Sequence, residues 1–216
     1  MLKTLAGFLI AIFASAALEA APISYSVLVN TSSIAGVSGN IDYQFNPGAF
    51  TSDPAFVTIS MFSSDGTLAG APVLTGDVAG ALPASVTIHN TSGFNDYSDG
   101  FTVGSFLSFR VRFDGTALTS PSPSATSGST FAFSLFNADF SSALLSTDTV
   151  NGALVQGDVN LDGTVTITNF GVGHTTTVSP VPDGPPTVPE PATLLLVAGG
   201  FVAAVARRGR RGLRSF

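Results

Sequence analysis

The chain has 216 residues and a formal net charge of −6, and charged side chains make up only 10% of it. Between residues 22 and 188 the cations are Arg110 and Arg112 against twelve Asp, a net of about −10, so nucleic acid is excluded as a partner by like-charge repulsion. There is no cysteine, which excludes disulfides, thiolate metal sites and a cysteine nucleophile in this chain.

Met1-Leu2-Lys3 opens the chain with one positive charge, and Leu5 to Leu18 follows without any. Small residues then lead to Pro22. A basic start, a short apolar run and a small-residue exit form a secretory signal peptide, here residues 1–20. Cleavage is expected between Ala20 and Ala21, with cleavage after Ala17 as the alternative. The apolar run is expected to be a signal helix.

From Ile23 to about Val178 the hydrophobic period is two. Tyr25, Val27 and Val29 alternate with Ser24, Ser26 and Leu28. Val57, Ile59 and Met61 share a register, as do Phe101, Val103, Leu107, Phe109, Val111 and Phe113. Phe131, Phe133 and Leu135 repeat the pattern, and Val165 and Ile167 alternate with threonines. This is the pattern of strands with one face buried. Five Asp-Gly pairs (residues 65–66, 99–100, 114–115, 162–163 and 183–184) and Asn151-Gly152 supply tight-turn chemistry. Residues 21–178 are therefore expected to be one all-β domain, an antiparallel β-sandwich of jelly-roll or Ig-like type, with Phe109, Val111, Phe113, Phe131 and Phe133 inside. Residues 119–130, TSPSPSATSGST, read as a surface loop. The sequons at Asn30 and Asn90 read as chance matches.

Asp158, Asn160, Asp162, Gly163, Thr164 and Thr166 occupy positions 1, 3, 5, 6, 7 and 9 of a calcium loop, and the segment resembles half of a dockerin. Alternating oxygen ligands around a turn glycine are what Ca²⁺ needs. Position 12 is Asn169, so the bidentate carboxylate is missing, and no helical pattern follows. The expectation is a β-hairpin turning at Asp162-Gly163, without a metal. His89 and His174 are the only histidines and form no recognisable catalytic pattern. No catalytic residue and no cofactor is expected.

Six of the twelve residues from Pro180 to Pro191 are proline. Residues 179–188 are expected to be a stiff, extended linker. Val188-Pro189-Glu190-Pro191 follows, then an uncharged segment, residues 192–206, then Arg207, Arg208, Arg210, Arg211 and Arg214. A helix over 192–206 would rise about 22 Å, short of the roughly 30 Å hydrocarbon core, so it would be a minimal transmembrane helix. The five arginines would hold the C-terminus in the cytoplasm. The signal peptide would send the domain to the other side.

Taken in order, the Val188–Pro191 motif, apolar segment and Arg cluster resemble the PEP-CTERM sorting signal of Gram-negative bacteria, residues 189–214. The resemblance implies an exosortase as partner, a membrane-embedded cysteine peptidase/transferase that recognises the Pro-Glu-Pro triplet. It also implies transient residence in the inner membrane, delivery to the cell surface or extracellular matrix, and an exopolysaccharide setting. The expected function is that of an exported, non-catalytic surface protein. The alternative is a carbohydrate-binding module, against which stand the absence of Trp and the presence of only three tyrosines, Tyr25, Tyr43 and Tyr97.

Overall fold

The computed structural model describes residues 23–182. The expected signal helix and transmembrane helix lie outside the described residues. In chain order the strands are β1 (Ile23–Asn30), β2 (Ser38–Pro47), β3 (Phe56–Ser64), β4 (Thr67–Leu68), β5 (Val73–Thr75), β6 (Val78–Ala81), β7 (Ser85–His89), β8 (Asp96–Thr102), β9 (Phe106–Asp114), β10 (Ser129–Asn137), β11 (Ala153–Val159), β12 (Val165–Asn169) and β13 (Thr176–Val181). A four-residue helix, α1 (Thr116–Thr119), follows β9.

The described residues form two antiparallel sheets. One has six strands in the order β13-β1-β9-β3-β7-β6. The other has seven, β12-β11-β10-β2-β8-β4, with β5 also paired to β8. Their inner faces share one core. Tyr43 of β2 meets Phe109 of β9 edge-on at 5.2 Å. Phe113 of β9 meets Phe131 of β10 at 5.8 Å, and Phe109 lies 4.8 Å from Phe133. Edge-to-face pairs at these distances join the sheets by burial and by ring electrostatics. The five expected core residues are all buried.

Several expectations are corrected. Met61 does not continue the inward register of Val57 and Ile59. It is 69% exposed, because β3 carries an irregularity between Ser60 and Ser63 and Met61 has φ 54°. The extra residue shifts the alternation by one and turns Phe62 toward Phe101 instead. The run from Phe101 to Phe113 is two strands in different sheets, β8 and β9. The chain bends at 103–105, where Asp65 accepts from the Ser105 and Phe106 N–H groups. Both halves point inward, so period two alone could not show the crossing.

The turn expected at Asp99-Gly100 is corrected as well, since the pair lies inside β8. Gly100 permits close approach of the segment after β4: a Cβ there would come within 3.0 Å of the Ala69 Cβ. The final strand also runs to Val181, pairing Ser179, Pro180 and Val181 with β1, so the first residues assigned to the linker are strand. Pro180 sits on the edge strand of its sheet, where a missing N–H is tolerated.

Candidate functional site

The outer face of the seven-stranded sheet is polar. β2 presents Asn40, Asp42, Gln44 and Asn46 at alternate positions, because period two sends its partners Ile41, Tyr43 and Phe45 into the core. β10 contributes Thr130, Ala132 and Ser134 to the same face, and β11 contributes Gln156 and Asp158. The side chains form two hydrogen-bonded sets, one along β2 and one between β10 and β11. Gln44 Nε2 donates to Asp42 Oδ2 at 3.1 Å, and Asn46 Nδ2 donates to Gln44 Oε1 at 3.3 Å. Gln156 Nε2 donates to both Asp158 oxygens, at 3.1 and 2.9 Å, and Thr130 Oγ1 donates to Asp158 Oδ1 at 2.8 Å.

Asp42 is only 5% exposed, and its Oδ1 meets no donor among the described residues. The group beside it is the Asp96 carboxyl of β8, which can bond to it only through a proton. Burial is the main cause that pushes the Asp42 pKa up to about 8, the Asp96 carboxyl adds to it, and the Gln44 amide opposes it. Burial raises Asp96 as well. Asp42 is the more deeply buried of the two, so the cost of ionisation falls most heavily on it. This pair was invisible in the sequence. Its members lie on different strands and meet only because Gln44 is in register with Asp96.

Asp99 of β8 is a second buried carboxyl, on the inward face beside Tyr97 and Phe101, and neither of its oxygens meets a donor among the described residues. The Tyr97 hydroxyl accepts from the Leu82 N–H at 3.1 Å.

The calcium-loop candidates fall on the β11–β12 hairpin. Asp158 pairs with Thr166 and Val159 with Val165, and the turn closes through Asn160 N–H to the Thr164 carbonyl at 2.9 Å. Gly163 has φ 80°, a conformation that glycine adopts without steric cost. The would-be ligands serve the hairpin instead. Asp162 Oδ1 accepts from Thr164 N–H and Oγ1, which holds its carboxyl below the usual range. Asn160 Nδ2 donates to the Thr164 and Thr166 hydroxyls. Among the described residues no group of three or more His, Cys, Asp or Glu could hold a metal ion. Titration calorimetry with CaCl₂ is expected to show no micromolar binding. A micromolar affinity abolished by Asp158→Ala would restore the calcium-loop reading.

His89 ends β7 with its ring 5.1 Å from that of Phe56. His174 lies in the turn before β13, so the two histidines belong to separate places. Asn90 is buried, and its side chain is held by Ala55, Asp53 and Ser129; no glycan fits on that nitrogen. Tyr43 and Tyr97 are fully buried, which removes them as aromatic platforms for a sugar.

The signal-cleavage residues Ala20 and Ala21, the motif Val188, Pro189, Glu190 and Pro191, and the arginines 207, 208, 210, 211 and 214 lie outside the described residues. Residues 187–211 match the family model described as the PEP-CTERM protein-sorting motif. The chain carries a PEP-CTERM sorting motif. The match spans the Pro-Glu-Pro triplet, the apolar segment and four of the five arginines, all but Arg214. No curated protein and no solved structure matches the chain. A PEP-CTERM motif marks an exported protein, held at the membrane as a precursor and sorted by an exosortase.

Proposed function

We propose that this chain is a non-catalytic surface or extracellular-matrix protein whose β domain is delivered and then released through its PEP-CTERM tail. The observation that carries the reading is the motif match over 187–211, behind an N-terminal segment with the pattern of a secretion signal. The precursor sits in the inner membrane through residues about 190–208, with the domain outside and the arginines inside, as the excess of positive charge requires. Exosortase cuts near Pro189-Glu190-Pro191 and frees the domain from its short anchor.

The domain is a β-sandwich of jelly-roll order in this reading. Strand order supports it. In an Ig-like order the first two strands share a sheet, whereas β1 and β2 lie in different sheets. Strands β1, β9, β3 and β7 then adjoin in one sheet, and β2 and β8 with β4 and β5 in the other. β10 to β12 extend the second sheet, and β13 returns to the first.

Replacing Glu190 by Ala is expected to leave insertion intact and to block processing, so that the uncut precursor accumulates at the inner membrane. Mass spectrometry of the surface fraction from the native host reads the outcome. Mature wild-type protein still carrying Arg207 to Phe216 overturns the proposal and leaves a plain C-terminally anchored membrane protein.

A further inference from the structure

The outer face of the seven-stranded sheet is grooved, and the register explains why. Along β10 the outward residues are small: Thr130, Ala132 and Ser134. Thr130 and Ala132 are each flanked on both sides by something longer, whereas Ser134 lies between Asp42 and Ala153. Ala132 lies between Gln44 of β2 and Gln156 of β11, and Thr130 lies between Asn46 and Asp158. A strand of short side chains between two strands of long ones is a trough with β10 as its floor. Two adjoining depressions of about 150 and 240 Å³ occupy it and meet at Thr130. The trough runs from Ser134, where Asn151 lines it, toward Ser127 and Leu161 at the turn of β11–β12.

We propose that this groove binds an uncharged polysaccharide, with the sugar chain lying along β10 between the β2 and β11 walls. The inference goes beyond sorting and does not depend on it. The chemistry of the walls is that of polyol recognition. Gln44, Asn46 and Gln156 each offer a donor and an acceptor, Asp158 accepts, and Thr130 supplies a hydroxyl. Sugar hydroxyls are donors and acceptors at once and suit such a mixed set. Ala132 provides a small apolar floor for the carbon face of a ring.

The walls are also set before any ligand arrives. Asp42 holds the Gln44 amide, Gln44 holds Asn46, and Asp158 holds Gln156. Asn46 Oδ1 is fixed further by the Asn95 N–H at 2.6 Å. Oriented side chains lose less entropy on binding, so weak individual hydrogen bonds leave a usable net affinity. The buried Asp42 carboxyl, whose Oδ1 meets no donor among the described residues, ends the β2 set by accepting from Gln44.

Charge selects the class of sugar. Arg110 and Arg112 are the cations of the described residues, and both lie on β9 in the other sheet. Among the described residues the groove has acidic groups and no cation, so uronate or sulfated chains are repelled at close range while neutral chains are not.

The test is affinity electrophoresis of the full chain in detergent. The gels contain β-1,3-glucan, hydroxyethylcellulose or galactomannan, with alginate and polygalacturonate as acidic counterparts. Retardation is expected in at least one neutral gel and in neither acidic gel. Ala132→Arg, which fills the floor, is expected to abolish it. Gln156→Ala, which removes one wall amide without adding bulk, is expected to weaken it by roughly ten-fold. Arg112→Ala on the opposite sheet is expected to leave it unchanged. Circular dichroism confirms that each variant is folded. No retardation in any neutral gel overturns the proposal. So does retardation by the uronates, or retardation that survives both groove variants.

Discussion

Phe109→Ala is expected to destabilise the β domain by about 3–5 kcal/mol. Phe109 is 2% exposed and projects from β9 into the opposite sheet. Its ring lies 5.2 Å from Tyr43 and 4.8 Å from Phe133, both fully buried. Truncation removes the transfer free energy of the ring and leaves a cavity that its neighbours cannot fill. They belong to two hydrogen-bonded sheets whose spacing is set by all their other contacts. Phe50→Ala is the matched control. That ring is 93% exposed, and its loss should change stability by no more than about 0.5 kcal/mol. Urea unfolding followed by far-UV circular dichroism measures both. A small loss for Phe109→Ala would mean that the two sheets do not share the core described.

Asp42→Asn is expected to stabilise the domain at pH 8 and to have little effect at pH 4. Asp42 is buried, and its pKa is raised from 3.8 to about 8. Below about pH 4 both folded and unfolded chains carry its proton, and the site costs nothing. Between about pH 4 and 8 the unfolded chain releases the proton and the folded one keeps it. Stability therefore falls as pH rises through this window and levels off above it. Each pH unit inside the window costs up to about 1.4 kcal/mol for one such group. Asparagine copies the protonated form: its Nδ2 can donate to the Asp96 carboxylate while its Oδ1 accepts from Gln44. The variant should therefore melt several degrees higher than wild type at pH 8 and close to it at pH 4. Melting curves at pH 4, 6 and 8 test this. Parallel pH dependence in the two proteins would show that Asp42 does not carry the proton.

The legible parts of the fold are those where one residue's neighbours in sequence decide its conformation. Phe131, Phe133 and Leu135 announced β10 because alternation is a local consequence of the pleat. The turn at Asp162-Gly163 was legible for the same reason, since its hydrogen bonds close within the segment from Asn160 to Thr166. Met61 was misplaced because one inserted residue reverses the faces of a strand, and nothing in the composition of β3 marks the insertion. Asp99-Gly100 was misread as a turn because the pair suits one. What holds it in β8 is pairing with Ile41 and Asn40 of β2, far away in the chain.

The sequence by itself determined that the chain carries a PEP-CTERM sorting motif. The tail is a linear motif, recognisable from the order of its parts, Val188 to Pro191, the apolar segment and the arginines, and from their charge. Neither needs a partner elsewhere in the fold. The sequence also determined that the domain is built from strands, since a period of two buries one face of each. The tertiary structure alone decided which strands are neighbours, and so which polar residues share a face. Asp42 and Asp96 became a pair, and the small side chains of β10 became the floor of a groove, only through the register of β2 with β8 and β10 and of β10 with β11. That register is set by the summed packing of rings such as Tyr43, Phe109 and Phe133 across two sheets, a long-range quantity that no local pattern contains.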